Sequence, residues 1–241
     1  MRTIQRRLDK VGVKSDEPDA QTAAVGRVIV TDTTYFGRSF GVLAIVDAHK
    51  GKMLHREFVK YETNSLYERS VNGLKEQGYE IAAIVCDGRK GLFHLFGNTP
   101  IQMCQFHQTA IITRYLTRKP KILASQELRE LTLTLSKTDK QSFSDGLARW
   151  FERWQKFLNE RSFNPTTGKS FYTHRRLRSA YRSLKTNLLW LFTFEDHPEL
   201  NIPNTTNSLE GIFADLKNKL RCHNGLSKQR RMKFIDEFFK A

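Results

Sequence analysis

The chain has 241 residues, 39% of them hydrophobic and 11% aromatic, which is enough for a packed core and argues against a disordered tail. It carries 40 Lys and Arg against 25 Asp and Glu, a net charge of +15, and a folded protein that basic points to a polyanionic partner, nucleic acid first. Three Cys (Cys86, Cys104, Cys222) without a disulfide pattern speak for a reducing compartment, and the sequence shows neither a signal peptide nor an apolar run of membrane-spanning length.

Residues 1–25 are polar and charged. Ile4-Gln5-Arg6-Arg7-Leu8 has the look of the tail of a helix, and Val11 to Ala24 that of a linker. The pattern then changes. Arg27 to Asp32 predicts a short strand with an acid at its end, Thr33 to Ser39 a turn, Phe40 to Asp47 a second strand and Met53 to Val59 a third. The short connections imply antiparallel pairing of these three. An amphipathic helix follows through Leu66, Val71 and Leu74, capped by Asn64 or Ser65 and stopped at Gly78. Ile81 to Cys86 is a continuous apolar run, as expected of a strand buried on both faces, and it ends at Asp87-Gly88. A short helix over Leu92 to Phe96, a strand over Ile101 to Cys104 and a helix opened by His107 complete an α/β pattern: a mixed five-stranded sheet covered by helices.

From Pro120 to about Phe194 no strand is expected. Phe143, Leu147, Trp150, Trp154 and Phe157 make one helical stripe, and Leu177, Tyr181, Leu184 and Leu188 another, with the turn Asn164 to Gly168 between. Arg175, Arg178, Arg182 and Lys185 run along the second helix. Residues 111–185 hold 17 Lys and Arg against 6 Asp and Glu, so +11 of the net charge lies there. Such a stripe is either a solvated face or a surface that tracks phosphates. Pro203 and the Asn204-Thr205-Thr206 run precede a last apolar-striped helix, with Asn207 as N-cap. Glu210 stands in its first turn, Lys217 two turns on, and Arg221 one turn further. Glu210 fits two roles at this stage: the acid of a near capping box, or a metal ligand.

Asp32 and Asp87 each close an apolar run, where an unpaired carboxylate is costly. With Glu210 they form a set of hard oxygen donors suited to Mg²⁺ or Mn²⁺. The stretches Val28 to Tyr35, Val85-Cys86-Asp87-Gly88, Cys104-Gln105-Phe106-His107 and Thr206-Asn207-Ser208-Leu209-Glu210-Gly211 together resemble the DDE transposases of bacterial insertion sequences, the Mutator-like group with a C-x-x-H signature in particular.

The resemblance covers roughly residues 26–222 and implies an RNase H-like catalytic domain (26–119 and 204–224), interrupted by an all-helical basic insertion (120–203). Residues 225–241 would follow as a basic tail helix, and 1–25 would be a linker or the remnant of an N-terminal DNA-binding helix. It further implies metal-dependent DNA cleavage and strand transfer, with Asp32, Asp87 and Glu210 holding two Mg²⁺ or Mn²⁺ ions. Lys217 and Arg221 would steady DNA phosphates, and His107 would contact the strand near the break. The partners so implied are transposon ends and target DNA, met by a homodimer or higher oligomer in the cytoplasm at the nucleoid, with neither a membrane nor a small-molecule substrate involved. Rival readings are an RNase H-like nuclease that only hydrolyses, and a catalytically silent remnant that binds DNA. Cys104-x-x-His107 also has the form of half a zinc site, against which stands simple packing of Cys104.

Overall fold

The computed structural model describes residues 26–240, which fall into two compact units, 26–100 with 206–240, and Ile101–Thr205. The segment 1–25, read above as a linker or helix remnant, lies outside the described residues.

In the first unit, β1 (Arg27–Phe36), β2 (Phe40–Asp47) and β3 (Met53–Val59) form an antiparallel meander. β4 (Ile81–Cys86) returns beside β1 in parallel, after the crossover helix α1 (Asn64–Glu76). With β5 (Ile101–Met103), at which the second unit begins, the sheet has the order β3-β2-β1-β4-β5. Three antiparallel strands followed by a parallel crossover give the mixed sheet of an RNase H-like fold. All eight residues of β2, the strand between β1 and β3, are buried, and on one face Leu216 and Ile235 cover Phe40 and Val42.

The expected strand from Arg27 to Asp32 is too short. β1 runs four residues further, to Phe36, and the turn shrinks to 37–39, with Gly37 at φ +66°. The reason lies in its two neighbours. Pairing with β4 ends at Val30 opposite Val85, whereas pairing with β2 continues to Phe36 opposite Phe40. Asp32 therefore sits inside a strand, just past the point where its parallel neighbour stops. The cap of α1 also differs by one residue: Thr63 accepts the Leu66 N–H at 3.2 Å.

α7 (Asn207–Arg221) and α8 (Lys228–Lys240) complete this unit. Residues 225–240 are more than a basic tail. Ile235 is fully buried with Phe40, Val42 and Leu216, and Phe36, Phe58, Phe234 and Phe238 pack around them. Arg56 on β3 clamps the helix through Asp236 at 2.9 Å.

The second unit is built from α2 (Gln105–Leu116), α3 (Leu123–Leu133), α4 (Lys140–Asn159), α5 (Arg175–Leu191) and the short α6 (Thr193–Asp196). Its core follows the predicted stripes. Phe143, Leu147 and Trp150 are buried on α4, Leu177 and Leu184 on α5, and Tyr181 stacks on Phe151 at 4.7 Å. The buried Gln102 knits β5 to this core, donating to the Leu191 carbonyl at 2.9 Å and accepting the Phe194 N–H at 3.1 Å. The expectation of helices alone missed a small hairpin, β6 (Arg161–Phe163) with β7 (Ser170–Tyr172), closed by the Asn164–Gly168 turn. Among the described residues, no helix is long and apolar enough to cross a membrane.

Candidate functional site

β1 and β4 fix where the first two acids stand. Val30 is opposite Val85 in a parallel ladder, and Asp32 and Asp87 each lie two residues further on. Asp87 is the first residue after β4, so the two aspartates stand at the same level on adjacent strands, which lie about 4.8 Å apart. Asp32 is also opposite Ala44, Thr34 opposite Val42 and Phe36 opposite Phe40. Phe36, Phe40 and Val42 form the cluster with Leu216 and Ile235, so the Asp32 face is the one covered by α7 and α8. Glu210 is carried on α7.

All three acids are half-buried, and each accepts a local hydrogen bond. The Thr33 N–H donates to Asp32 Oδ1 at 2.8 Å, the Arg89 N–H to Asp87 Oδ1 at 3.3 Å, and the Thr206 hydroxyl to Glu210 Oε1 at 3.1 Å. The last contact replaces the anticipated capping box. α7 begins one residue after Thr206, whose own side chain caps no N–H, and its fully buried hydroxyl serves the carboxylate instead. Three carboxylates on one sheet and its covering helix are a donor set that suits hard divalent cations.

The opposite face of β1 meets α1. Thr33 Oγ1 lies 3.1 Å from the Tyr67 hydroxyl, which donates a short hydrogen bond to Glu62. Burial, then the negative charges of Glu62 and Asp87, push the Tyr67 phenol far above its ordinary value, so it stays protonated as a fixed donor. Glu62 also lies 3.7 Å from Arg89, whose Nε donates to Asn64 Oδ1 at 2.7 Å, and Asn64 Nδ2 donates to the Lys90 carbonyl at 3.1 Å. The segment that carries Asp87 is thus laced to the start of α1. Gly91 is required there: its φ is +83°, and a Cβ would stand 2.8 Å from Asn64 Nδ2. Glu62, Tyr67 and Arg89 were not singled out from sequence, and Asn64 was read only as a helix cap. Only Arg89 carried a signal in the sequence, its place two residues after Asp87.

Lys217 and Arg221, expected on the face of Glu210, line one cleft of about 310 Å³ with Tyr35, Phe36 and Arg231. Arg231, from α8, brings a third cation that sequence reasoning had left in a tail.

In the second unit, Cys104 is buried at the foot of α2, and His107 is half-buried in its first turn. The start of α2 is pinned by the Gln105 N–H, which donates to the Asn204 carbonyl at 3.0 Å. Cys222 is exposed just past α7 in the first unit. The basic stripe does not survive as one surface. Arg178 folds back, its guanidinium 3.6 Å from the centre of the Tyr172 ring, and donates to the Leu158 carbonyl at 2.9 Å and to Asn159 at 2.8 Å. Arg175 leans over Phe171 at 4.6 Å, while Arg182 and Lys185 are exposed.

No family model and no curated protein matches the chain. Among solved structures, it is similar to a chain in the electron cryomicroscopy structure of the simian T-cell lymphotropic virus intasome in complex with the PP2A regulatory subunit B56 gamma, at 12% identity and a TM-score of 0.28. That match covers 72% of this chain and 54%, about half, of the other.

Proposed function

We propose that this chain is the catalytic part of a DDE transposase of the Mutator-like insertion-sequence group, cutting DNA at element ends and joining the freed 3′-hydroxyl to target DNA. The observation that supports the reading is the register of β1 and β4, in which Asp32 and Asp87 each follow the Val30–Val85 pair by two residues. Leu220 packs in the cluster that contains Phe36. Ten residues back along a helix is about 15 Å and four back along a strand about 13 Å, so a helix running with β1 would bring Glu210 level with Asp32.

In this reading Asp32, Asp87 and Glu210 would hold two Mg²⁺ or Mn²⁺ ions, which would supply activation of the attacking oxygen and charge stabilisation at the leaving one. The chain's own groups do the rest. Thr33, Arg89 and Thr206 aim the three carboxylates by the bonds given above. The lacing of Asn64 and Arg89 fixes the Asp87 segment before substrate arrives, so little reorganisation is left for the reaction. Lys217, Arg221 and Arg231 bind the phosphates of the strand beyond the cut, with Tyr35 as a stacking surface. His107 contacts the strand near the break. The test is metal-dependent cleavage of DNA carrying the element's end, with strand joining scored separately. Cleavage and joining define a transposase and cleavage alone a nuclease. Binding without either, in wild type with Mg²⁺ or Mn²⁺, rejects the enzymatic reading.

A further inference from the structure

The second unit carries a groove of about 590 Å³ between the connection from α2 to α3 and the start of α5. Lys119, Lys121, Arg175 and Arg176 line it together with Tyr115 and His174, and no Asp or Glu is among its lining residues. This groove differs from the 175/178/182/185 stripe read from sequence: it uses only Arg175 of those four.

The positions of its cations are set by the fold. Arg176 donates to the Arg114 carbonyl at 2.6 Å, which ties the start of α5 to the end of α2. His174 is stacked on Phe157 at 3.6 Å and held by Glu160 at 2.9 Å. The chain turns out of α2 at Thr117, in the left-handed region with φ +70°, and so swings Lys119 and Lys121 across from Arg175 and Arg176. Among the described residues no ion pair engages Lys119, Lys121, Arg175 or Arg176. Four cations facing one concave surface without a neutralising acid create a focused positive potential, which an anion relieves. Beside them Tyr115, Ile122 and Leu123 are exposed, and such groups suit the sugars and bases of a nucleic acid rather than a lone inorganic ion.

We infer that this groove is a docking site for the phosphodiester backbone of duplex DNA, which lets the helical unit grip the substrate without reading its sequence. The inference deepens the proposed function and rests on it for the choice of DNA as the polymer. Phosphate contacts of this kind position a duplex and carry no base preference.

The experiment measures binding of the full chain to duplexes of unrelated sequence over a range of salt, with divalent ions chelated so that cleavage plays no part. Lys119→Ala/Lys121→Ala and the reversal Lys119→Glu/Lys121→Glu are compared with wild type, with melting curves to establish folding. Both lysines are exposed, so the variants should fold. The expected result is a salt slope shallower by about 1.8 for the Ala pair, the same for every sequence, and a further loss of binding for the Glu pair. An unchanged slope in folded variants overturns the inference, as does absence of binding by wild type. A hairpin RNA is the second arm. Tighter RNA binding with the same lysine dependence rejects DNA as the groove's ligand. The two readings fail separately: a lysine-dependent slope in a chain that never cuts DNA sinks only the chemistry, and cleavage with an unchanged slope sinks only the groove.

Discussion

The Thr206 hydroxyl, fully buried, donates to the Glu210 carboxylate 3.1 Å away, one turn along the helix that Thr206 precedes. In a capping box the acid would reach back to a backbone N–H; here a side chain reaches forward to the acid. The carboxylate is oriented rather than spent on ending the helix.

This makes Glu210→Gln decisive. Gln Oε1 still accepts the Thr206 bond, so stability should fall by less than about 1 kcal/mol. The anion is lost, and strand cleavage should drop by orders of magnitude while DNA binding holds. Thr206→Val keeps the shape and removes the donor, and should cost about 1–2 kcal/mol with partial loss of cleavage. Asp215→Asn is the control, because Asp215 only pairs with Lys219 at 2.9 Å on the exposed side. Equal cleavage by wild type and Glu210→Gln would leave Glu210 a structural residue.

Arg27 and Asp47 offer a test of the sheet itself. Burial alone would raise the Asp47 carboxyl, but the Lys50 N–H at 2.9 Å, the Arg27 guanidinium at 2.8 Å and the His49 N–H at 3.0 Å outweigh it and hold it below the ordinary range. A depressed carboxyl stabilises the fold above its unfolded value, near 3.8, and that contribution is lost as pH falls through the folded value. Arg27→Ala strands a buried charge and should cost about 3 kcal/mol at neutral pH, with the deficit shrinking in acid. Urea melts at several pH values check both. A deficit that does not change with pH would assign the loss to packing.

His55 on β3 should set the acid limb of stability. Burial lowers its pKa from 6.5, and nearby Arg69 and Arg56 lower it further against the pull of Glu57. The folded state therefore resists protonation that the unfolded state accepts. Stability should be level above about 6.5 and fall as the pH drops from there towards the folded value. His55→Gln, which cannot charge, should flatten that part of the curve. An identical limb in the variant would place the titration elsewhere.

Arg178 should act on stability and not on DNA. It is folded onto Tyr172 and the end of α4, so Arg178→Ala should lower the melting temperature by an amount worth about 1–2 kcal/mol and leave the salt slope unchanged. Arg182→Ala/Lys185→Ala should do the reverse if that exposed pair meets phosphates. A shallower slope in Arg178→Ala at unchanged stability would restore the stripe.

The strands were legible because buried strands are apolar runs. Phe40 to Asp47 and Ile81 to Cys86 have the ends expected of them, and Asp32 and Asp87 were picked out because they close the apolar runs from Arg27 and from Ile81. What escaped depended on partners distant in sequence. β1 was cut short because only pairing with β2 tells a reader that Thr33 to Phe36 continue it. α8 was read as a basic tail helix, and its buried side was missed because Lys228, Arg230, Arg231 and Lys233 mask Phe234, Ile235 and Phe238, whose burial needs the β2 and β3 surface to be known. The β6–β7 hairpin has three-residue strands, too short for any period to emerge. Arg178 read as a surface cation because a ring two turns of chain away cannot be seen in a helical wheel.

The division of the chain has a consequence for its synthesis. A ribosome completes Ile101–Thr205 before it has made α7 or α8, so the helical unit has all its residues first and the sheet unit waits with one face uncovered. Phe40, Val42 and Phe58 are then exposed apolar surface until the last residues emerge. Chains cut off after the second unit would keep Asp32 and Asp87 but lack the helix that carries Glu210. They would show the sticky face instead, open to aggregation and to capture by chaperones.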